Sequence, residues 1–183
     1  ILRDIVAGDG AETGVRLLYI SPLKALNNDV ERNLRAPLEG IRAVAAKHGQ
    51  HLPPVRVMVR TGDTPASARA EMVKRPPHIL ITTPESLYLM LTSPKAREMF
   101  RGTRSVIVDE IHNWKNEPQS WLRFQHMLGG RIERLLGLSA TPFQLGPHEL
   151  VGVLGLRRCL SLSKERAAFL DEKVQELQRA LES

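Results

Sequence analysis

Asp109-Glu110-Ile111-His112 sets two adjacent carboxylates at the end of a short apolar string, residues 105–108 (SVIV). Carboxylates this close repel each other unless a cation or a substrate uses them. In nucleotide hydrolysis the first such carboxylate holds Mg²⁺, directly or through water, and the second orients or deprotonates the attacking water. Ser139-Ala140-Thr141 adds two hydroxyls around a small residue, after a second apolar string at 134–138. Hydroxyls at that depth can bridge a carboxylate on a neighbouring strand and sense what a nucleotide site holds. The plain alternatives are a solvated acidic turn and an ordinary strand end closed by Pro142. The strand context and the company of further polar clusters weigh against the first.

Those further clusters suit phosphate. Ser21-Pro22-Leu23-Lys24-Ala25-Leu26 opens a helical pattern directly after the string VRLLYI. Free backbone N–H groups and the positive helix end favour an anion there, and Lys24 adds charge. Thr82-Thr83-Pro84-Glu85-Ser86-Leu87 repeats the device, with hydroxyls at the cap and proline in the first turn. Either one alone is ordinary helix capping. Two on one edge of a sheet, with Arg60-Thr61-Gly62-Asp63 beside them, describe a track for a sugar-phosphate backbone.

The elements that must position these residues alternate. Strand-like strings fall at 15–20, 55–59, 78–82, 105–108 and 134–138. Helical spacing runs through Leu23, Leu26, Val30 and Leu34, is interrupted or restarted at Pro37, and continues over 38–46 to a stop at Gly49. Shorter helices are expected at 67–74, 84–92 and 121–128. Strand, loop and helix repeated in this order build an α/β fold, a parallel sheet flanked by helices. Ligands bind such sheets beyond the carboxyl ends of the strands, where every polar cluster above falls. Residues 163–183 differ: a polar segment with a plausible Ser163 cap and a stripe of Leu170, Val174, Leu177 and Leu181, best read as a docked terminal helix.

Composition narrows the class. The 183 residues fit one domain, with 42% hydrophobic and 25% charged residues, unlike a disordered or membrane chain. A single cysteine, Cys159, excludes a disulfide framework and a multi-cysteine zinc site and suits a reducing cytoplasm. Lys and Arg exceed Asp and Glu by 26 to 20, which favours a polyanionic partner. Aromatic residues are 4% of the chain, too few for a surface built on stacked bases.

Taken in order, the clusters resemble the first RecA-like lobe of superfamily 2 DEAD/DEAH-type helicases. Residues 21–26 are similar to motif Ia, 60–63 to the loop that follows it, and 83–86 to motif Ib. Residues 109–112 are similar to motif II (Walker B, in a DEIH form) and 139–141 to motif III. The strings YISPLKALNNDVERNL, RTGDTP, ILITTPESLYLML and VIVDEIH resemble the Lhr branch in particular. The resemblance implies a RecA-like (P-loop NTPase) fold that uses ATP and Mg²⁺ on single-stranded DNA or RNA in the cytoplasm. By position it implies that Asp109 coordinates Mg²⁺, Glu110 positions the hydrolytic water, and Ser139 and Thr141 couple ATP state to unwinding. His112 would sit between the ATP site and motif III. Pro22, Lys24, Arg60, Gly62, Thr83 and Glu85 would lie along the nucleic acid. Residues 1–160 would form a partial ATP-binding domain and 161–183 an amphipathic helix.

The sequence also departs from that pattern. No G-x-x-x-x-G-K-[ST] occurs, and Gly8, Gly10 and Gly14 are not followed by Gly-Lys-Ser/Thr. The resemblance places the phosphate-binding loop upstream, so the RecA-like fold is expected to be incomplete at the N-terminus and the chain alone to have negligible ATPase activity. Residues 113–130 do not follow the Lhr pattern; Trp114 and Trp121 within them are candidates for base stacking but more ordinary as packing residues. The resemblance also implies a second RecA-like lobe, with its arginine finger, which these 183 residues are not expected to supply. The leading expectation is a fragment of an ATP-dependent DNA/RNA helicase. The alternative is a non-catalytic nucleic-acid-binding module, a degenerate lobe. A third is an interaction protein whose terminal helix recruits a partner supplying the loop.

Overall fold

Each of the five apolar strings forms a four-residue strand: β1 Leu17–Ile20, β2 Val57–Arg60, β3 Ile79–Thr82, β4 Ser105–Val108 and β5 Arg134–Gly137. The computed structural model describes residues 14–112, 118–140, 154, 157 and 159–182. The strands make one sheet in the order β2-β3-β1-β4-β5, every pair parallel. The register lines up Arg60, Thr82, Ile20, Val108 and Gly137 in a single row. The next residues, Thr61, Thr83, Ser21, Asp109 and Leu138, therefore leave the sheet together along one edge. That shared exit assembles the clusters from separate parts of the sequence.

Alternation along the strands feeds two cores. Leu17, Ile79, Ile81 and Val57 face α1, Lys24–Lys47, through Leu38 and the half-buried Val30 and Leu34. Leu18, Ile20, Leu80, Val106 and Val108 face the opposite layer. That layer is built from Met72 of α2, Ala66–Lys74, and from Leu87 and Leu91 of α3, Pro84–Thr92. It continues with Ala96 of α4, Pro94–Arg97, Phe100 of the 3₁₀ turn Glu98–Phe100, and Phe124 and Leu128 of α5, Pro118–Leu128.

Two expectations about α1 need correction. It runs unbroken through Pro37. The carbonyl of Asn33, which loses its helical donor to the proline ring, belongs to an exposed turn and can be met by solvent. Leu23 is also not on the apolar face: it is the N-cap residue, without a side-chain cap, and is exposed. Asn27 takes the inward place and is completely buried.

Beyond β5, Cys159 is buried in the larger core. Gly130 N–H donates to the Cys159 carbonyl at 3.0 Å and Ser161 N–H to that of Ile132 at 2.7 Å. Burial pushes the Cys159 thiol up to about 12, as suits an inert core thiol. The final helix α6, Lys164–Glu182, starts at Ser163, whose Oγ accepts from Arg166 N–H at 3.4 Å. Its expected stripe is buried at Val174 and half-buried at Leu170 and Leu177; the Leu181 side chain lies outside the described ones. Among the described residues no helix is long and apolar enough to cross a membrane.

Candidate functional site

At the end of β4 the chain turns sharply. Asp109 N–H still donates to the Ile20 carbonyl at 2.8 Å, which holds its backbone on β1. Tyr19 Oη donates to Asp109 Oδ2 at 3.1 Å, and Glu110 N–H donates to Oδ1 at 3.0 Å. Burial, then the charge of Asp109 and its hydrogen bond, then Glu110, push the Tyr19 phenol up to about 12. It is therefore a committed donor at neutral pH. Glu110 has φ 47°, a left-handed conformation uncommon for a side-chain-bearing residue and characteristic of functional turns.

Past that turn Ile111 N–H donates to the Leu138 carbonyl at 3.0 Å, and Leu138 N–H to that of Val108 at 2.8 Å. These bonds tie the acidic turn to the end of β5. His112 Nδ1 then lies 3.4 Å from Glu110 Oε2 and 2.9 Å from Ser139 Oγ. The Ser139 hydroxyl thus contacts a histidine that faces the carboxylate, where the sequence reading had a hydroxyl bridging the carboxylate itself. Thr141 and Trp114 lie outside the described residues, and the Trp121 side chain outside the described side chains.

Gly137 seats this turn. A Cβ there would stand 2.5 Å from Ile111 Cδ1 and 3.6 Å from both of its γ carbons. Ile111 is buried and has little room to yield. Gly137→Val is expected to cost about 1–3 kcal/mol by overpacking, read as a lower urea midpoint; an unchanged midpoint would show that Ile111 relaxes freely.

The other end of the edge is a tied loop. Lys24 Nζ pairs with Asp63 Oδ2 at 3.1 Å, both side chains being exposed. Arg69, one turn into α2, donates through Nη2 to the Gly62 carbonyl at 2.8 Å and through Nε to that of Thr64 at 2.7 Å. Thr61 N–H donates to Thr64 Oγ1 at 2.9 Å. Arg60 is buried, its guanidinium donating to the Thr61 carbonyl, so it braces the loop from inside rather than facing solvent. Burial and the charge of Arg69 lower its pKa. Thr83 caps α3, its Oγ1 accepting from Ser86 N–H at 3.3 Å, with Pro84 in the first turn and Glu85 exposed beside it. Ser21 N–H donates to the Thr82 carbonyl at 3.0 Å, and Pro22 is half-buried. Lys24, Gly62 and Asp63 are brought together; Thr83 and Glu85 stand at the start of the neighbouring α3.

Three contributors escape a sequence reading. Tyr19 is a hydroxyl in an aliphatic string, one residue before the strand ends. Arg69 follows the loop by a helical turn. Asn27 occupies the apolar stripe of α1 with neither its Nδ2 nor its Oδ1 hydrogen-bonded among the described residues. A buried amide left unmet costs about 1–3 kcal/mol, so Asn27→Leu is expected to raise thermal stability. A lowered midpoint would mean that the amide has a partner in solution.

Comparison with known proteins identifies the family. The family model for the DEAD/DEAH box helicase matches residues 2–147. The chain is 60% identical over 157 residues to the "Lhr helicase/ probable uracil glycosylase" of Mycolicibacterium smegmatis, covering 86% of this chain and 10% of that protein. It is 48% identical over 156 residues to the "ATP-dependent helicase Lhr-Core" of Methanothermobacter thermautotrophicus, covering 80% of this chain and 18% of that one. Among solved structures, Mycobacterium smegmatis helicase Lhr bound to ssDNA and AMP-PNP superposes with a TM-score of 0.65 at 47% identity, over 77% of this chain and 18% of that one. The chain thus spans less than a fifth of the length of these relatives. With its parallel sheet, its edge of aligned polar exits and a family match over most of its length, the chain belongs to the DEAD/DEAH box helicase family, on its Lhr branch.

Proposed function

We propose that the chain serves as part of the first RecA-like lobe of an ATP-dependent helicase that moves along single-stranded DNA or RNA. The observation that carries this reading is the single row in which β1 to β5 end, which delivers Ser21, Thr61, Thr83 and Asp109 to one edge. Acidic chemistry then stands at the β4–β5 end and the phosphate track at the β2–β3 end. A cytoplasmic setting goes with this reading.

The donors suit Mg²⁺ shared with a nucleotide. Asp109 and Glu110 offer hard carboxylate oxygens, while among the described residues no three His, Cys, Asp or Glu side chains group to hold a metal unaided. Mg²⁺ is commonly held by one or two carboxylates together with phosphates and waters. Bound with ATP, it neutralises charge on the phosphates. Asp109, fixed by Tyr19 and by the Glu110 N–H, would hold it. Glu110, projected by its left-handed turn and faced by His112, would orient the attacking water and take its proton. His112 and Ser139 would pass a change at Glu110 to the end of β5.

The lobe needs a phosphate grip that this sequence does not contain. Among the described strands β5 lies at the margin of the sheet, with its Leu136 51% and the following Leu138 38% exposed, unusual for a parallel sheet. We assign that margin to a further strand of the parent protein, carrying the phosphate-binding loop. A second RecA-like lobe would complete the clamp. The missing loop motif equally favours the second reading, a nucleic-acid-binding module without catalysis. Nucleic-acid-stimulated ATP hydrolysis by the parent protein separates them: stimulation supports the helicase, and binding without hydrolysis supports the module.

A further inference from the structure

We propose that the opposite edge of the sheet holds a second anion site, a cavity that takes phosphate groups. The residue immediately before each of β1, β2, β3 and β4 is basic: Arg16, Arg56, His78 and Arg104. At this edge opens a cavity of about 490 Å³ whose charged lining is Arg16, Lys74, Lys95, Glu98, Arg101 and Arg104. Among the described lining residues, five cations from separate parts of the chain thus meet one carboxylate. A strand of four residues at roughly 3.3 Å each puts about 13 Å of sheet between this cavity and the motif-bearing edge.

The walls are built rather than loosely scattered. Arg16 Nη1 donates to the Gly102 carbonyl at 3.5 Å, and a Cβ on Gly102 would come within 2.8 Å of that same nitrogen. The glycine therefore lets the guanidinium lie across the backbone. Arg56 Nη2 donates at 2.7 Å to the carbonyl of Pro76, itself a lining residue, while Arg56 Nε is buried with no partner among the described residues. Burial first, then the charges of Arg56 and Arg16, lower the His78 pKa.

Four of the cations, Lys74, Lys95, Arg101 and Arg104, are open to a ligand. Arg101 pairs with Glu98 at 2.6 Å and Arg104 with Glu133 at 3.4 Å, all on exposed side chains. Such pairs are worth about 0–1 kcal/mol, so an incoming anion can replace them. Lys74 and Lys95 are exposed and have no carboxylate partner among the described residues. Arginine forks beside lysines match the several oxygens of a phosphate better than the two of an isolated carboxylate. The source of those phosphates is either a nucleic-acid backbone or a free polyphosphate. This inference uses no residue of the motif-bearing edge and does not depend on the helicase reading.

The test compares the chain with Lys74→Glu/Lys95→Glu and with Lys24→Ala, each checked for native circular dichroism. The probes are inorganic tripolyphosphate, polyglutamate and a labelled oligothymidylate. Tripolyphosphate binding at least about tenfold weaker in the double variant, and weakened by clearly less in Lys24→Ala, is the expected result. If oligothymidylate binding weakens too, with its salt slope falling by about 1.4 for two lost phosphate contacts, the source is a nucleic-acid backbone. If tripolyphosphate alone weakens, the source is a free polyphosphate. Tripolyphosphate affinity unchanged in the double variant, or a loss confined to polyglutamate, would overturn the proposal. Oligothymidylate binding lost only in Lys24→Ala, with tripolyphosphate unaffected by either variant, would do the same while leaving the motif-bearing edge as a nucleic-acid track.

Discussion

Glu110→Gln in the parent protein is expected to lower ATP turnover by about 10²–10⁴-fold, the usual contribution of a positioned general base, while ATP binding holds. The substitution keeps the size of the side chain and need not disturb φ 47° or the backbone bond from Glu110 N–H to Asp109 Oδ1. Asp109 remains oriented by Tyr19. What is lost is an anionic acceptor for the proton of the attacking water, together with the charge that faces His112 at 3.4 Å. Nucleotide affinity and steady-state phosphate release, measured on the same sample, separate binding from chemistry. Turnover within a fewfold of the unsubstituted protein would remove Glu110 from its assigned role.

The second large effect is on salt dependence. The exposed cations of the motif-bearing edge include Lys24, already paired to Asp63, and Arg69, spent on the Gly62 and Thr64 carbonyls; Arg60 is buried. Phosphate binding here would rest on a few contacts, helped by the uncapped start of α1 and by α3. With about three contacts at roughly 0.7 each, a fourfold rise in salt should weaken single-strand binding about twentyfold. Lys24→Ala should reduce the slope by about 0.7. Fluorescence anisotropy across a salt series measures both, and a flat response would contradict the track.

Much of this was legible because the central strands β1, β3 and β4 are largely buried and read as continuous apolar strings, while the partly buried β2 and the exposed β5 follow from the strand–helix alternation. All five lie within the expected spans or shifted by a residue or two, since VRVMVR and its fellows leave no competing period. The order of the strands was not legible, because it depends on how each crossover lies over the sheet. Pro37 misled because a proline on an exposed helical face costs a bond that solvent can replace, whereas a buried one would break the helix. The start of α5 at Pro118 and the whole of α4 at Pro94 were missed, although both carry the proline-in-first-turn signal recognised at Pro84.

At the site, the residue types were readable and their pairings were not. Asp109, Glu110 and Ser139 stand out by chemistry at strand ends. The Tyr19 hydroxyl reaches Asp109 only because β1 and β4 are neighbours in register, a fact of topology. The link from Glu110 through His112 to Ser139 likewise needs β5 beside β4, with Gly137 leaving room for Ile111. Asn27 was hidden by the apolar stripe around it.

The central proposal is that this chain would carry the water-positioning half of an ATP site and would require a phosphate-binding loop supplied from elsewhere in its parent. The most direct measurement is ATP hydrolysis by the chain alone and after mixing with the parent's segments bearing G-x-x-x-x-G-K-[ST] and the second RecA-like lobe. The expected result is background turnover alone and nucleic-acid-stimulated turnover in the mixture, abolished by Glu110→Gln in this chain. Robust turnover by the isolated chain, lost on Glu110→Gln, would contradict the account.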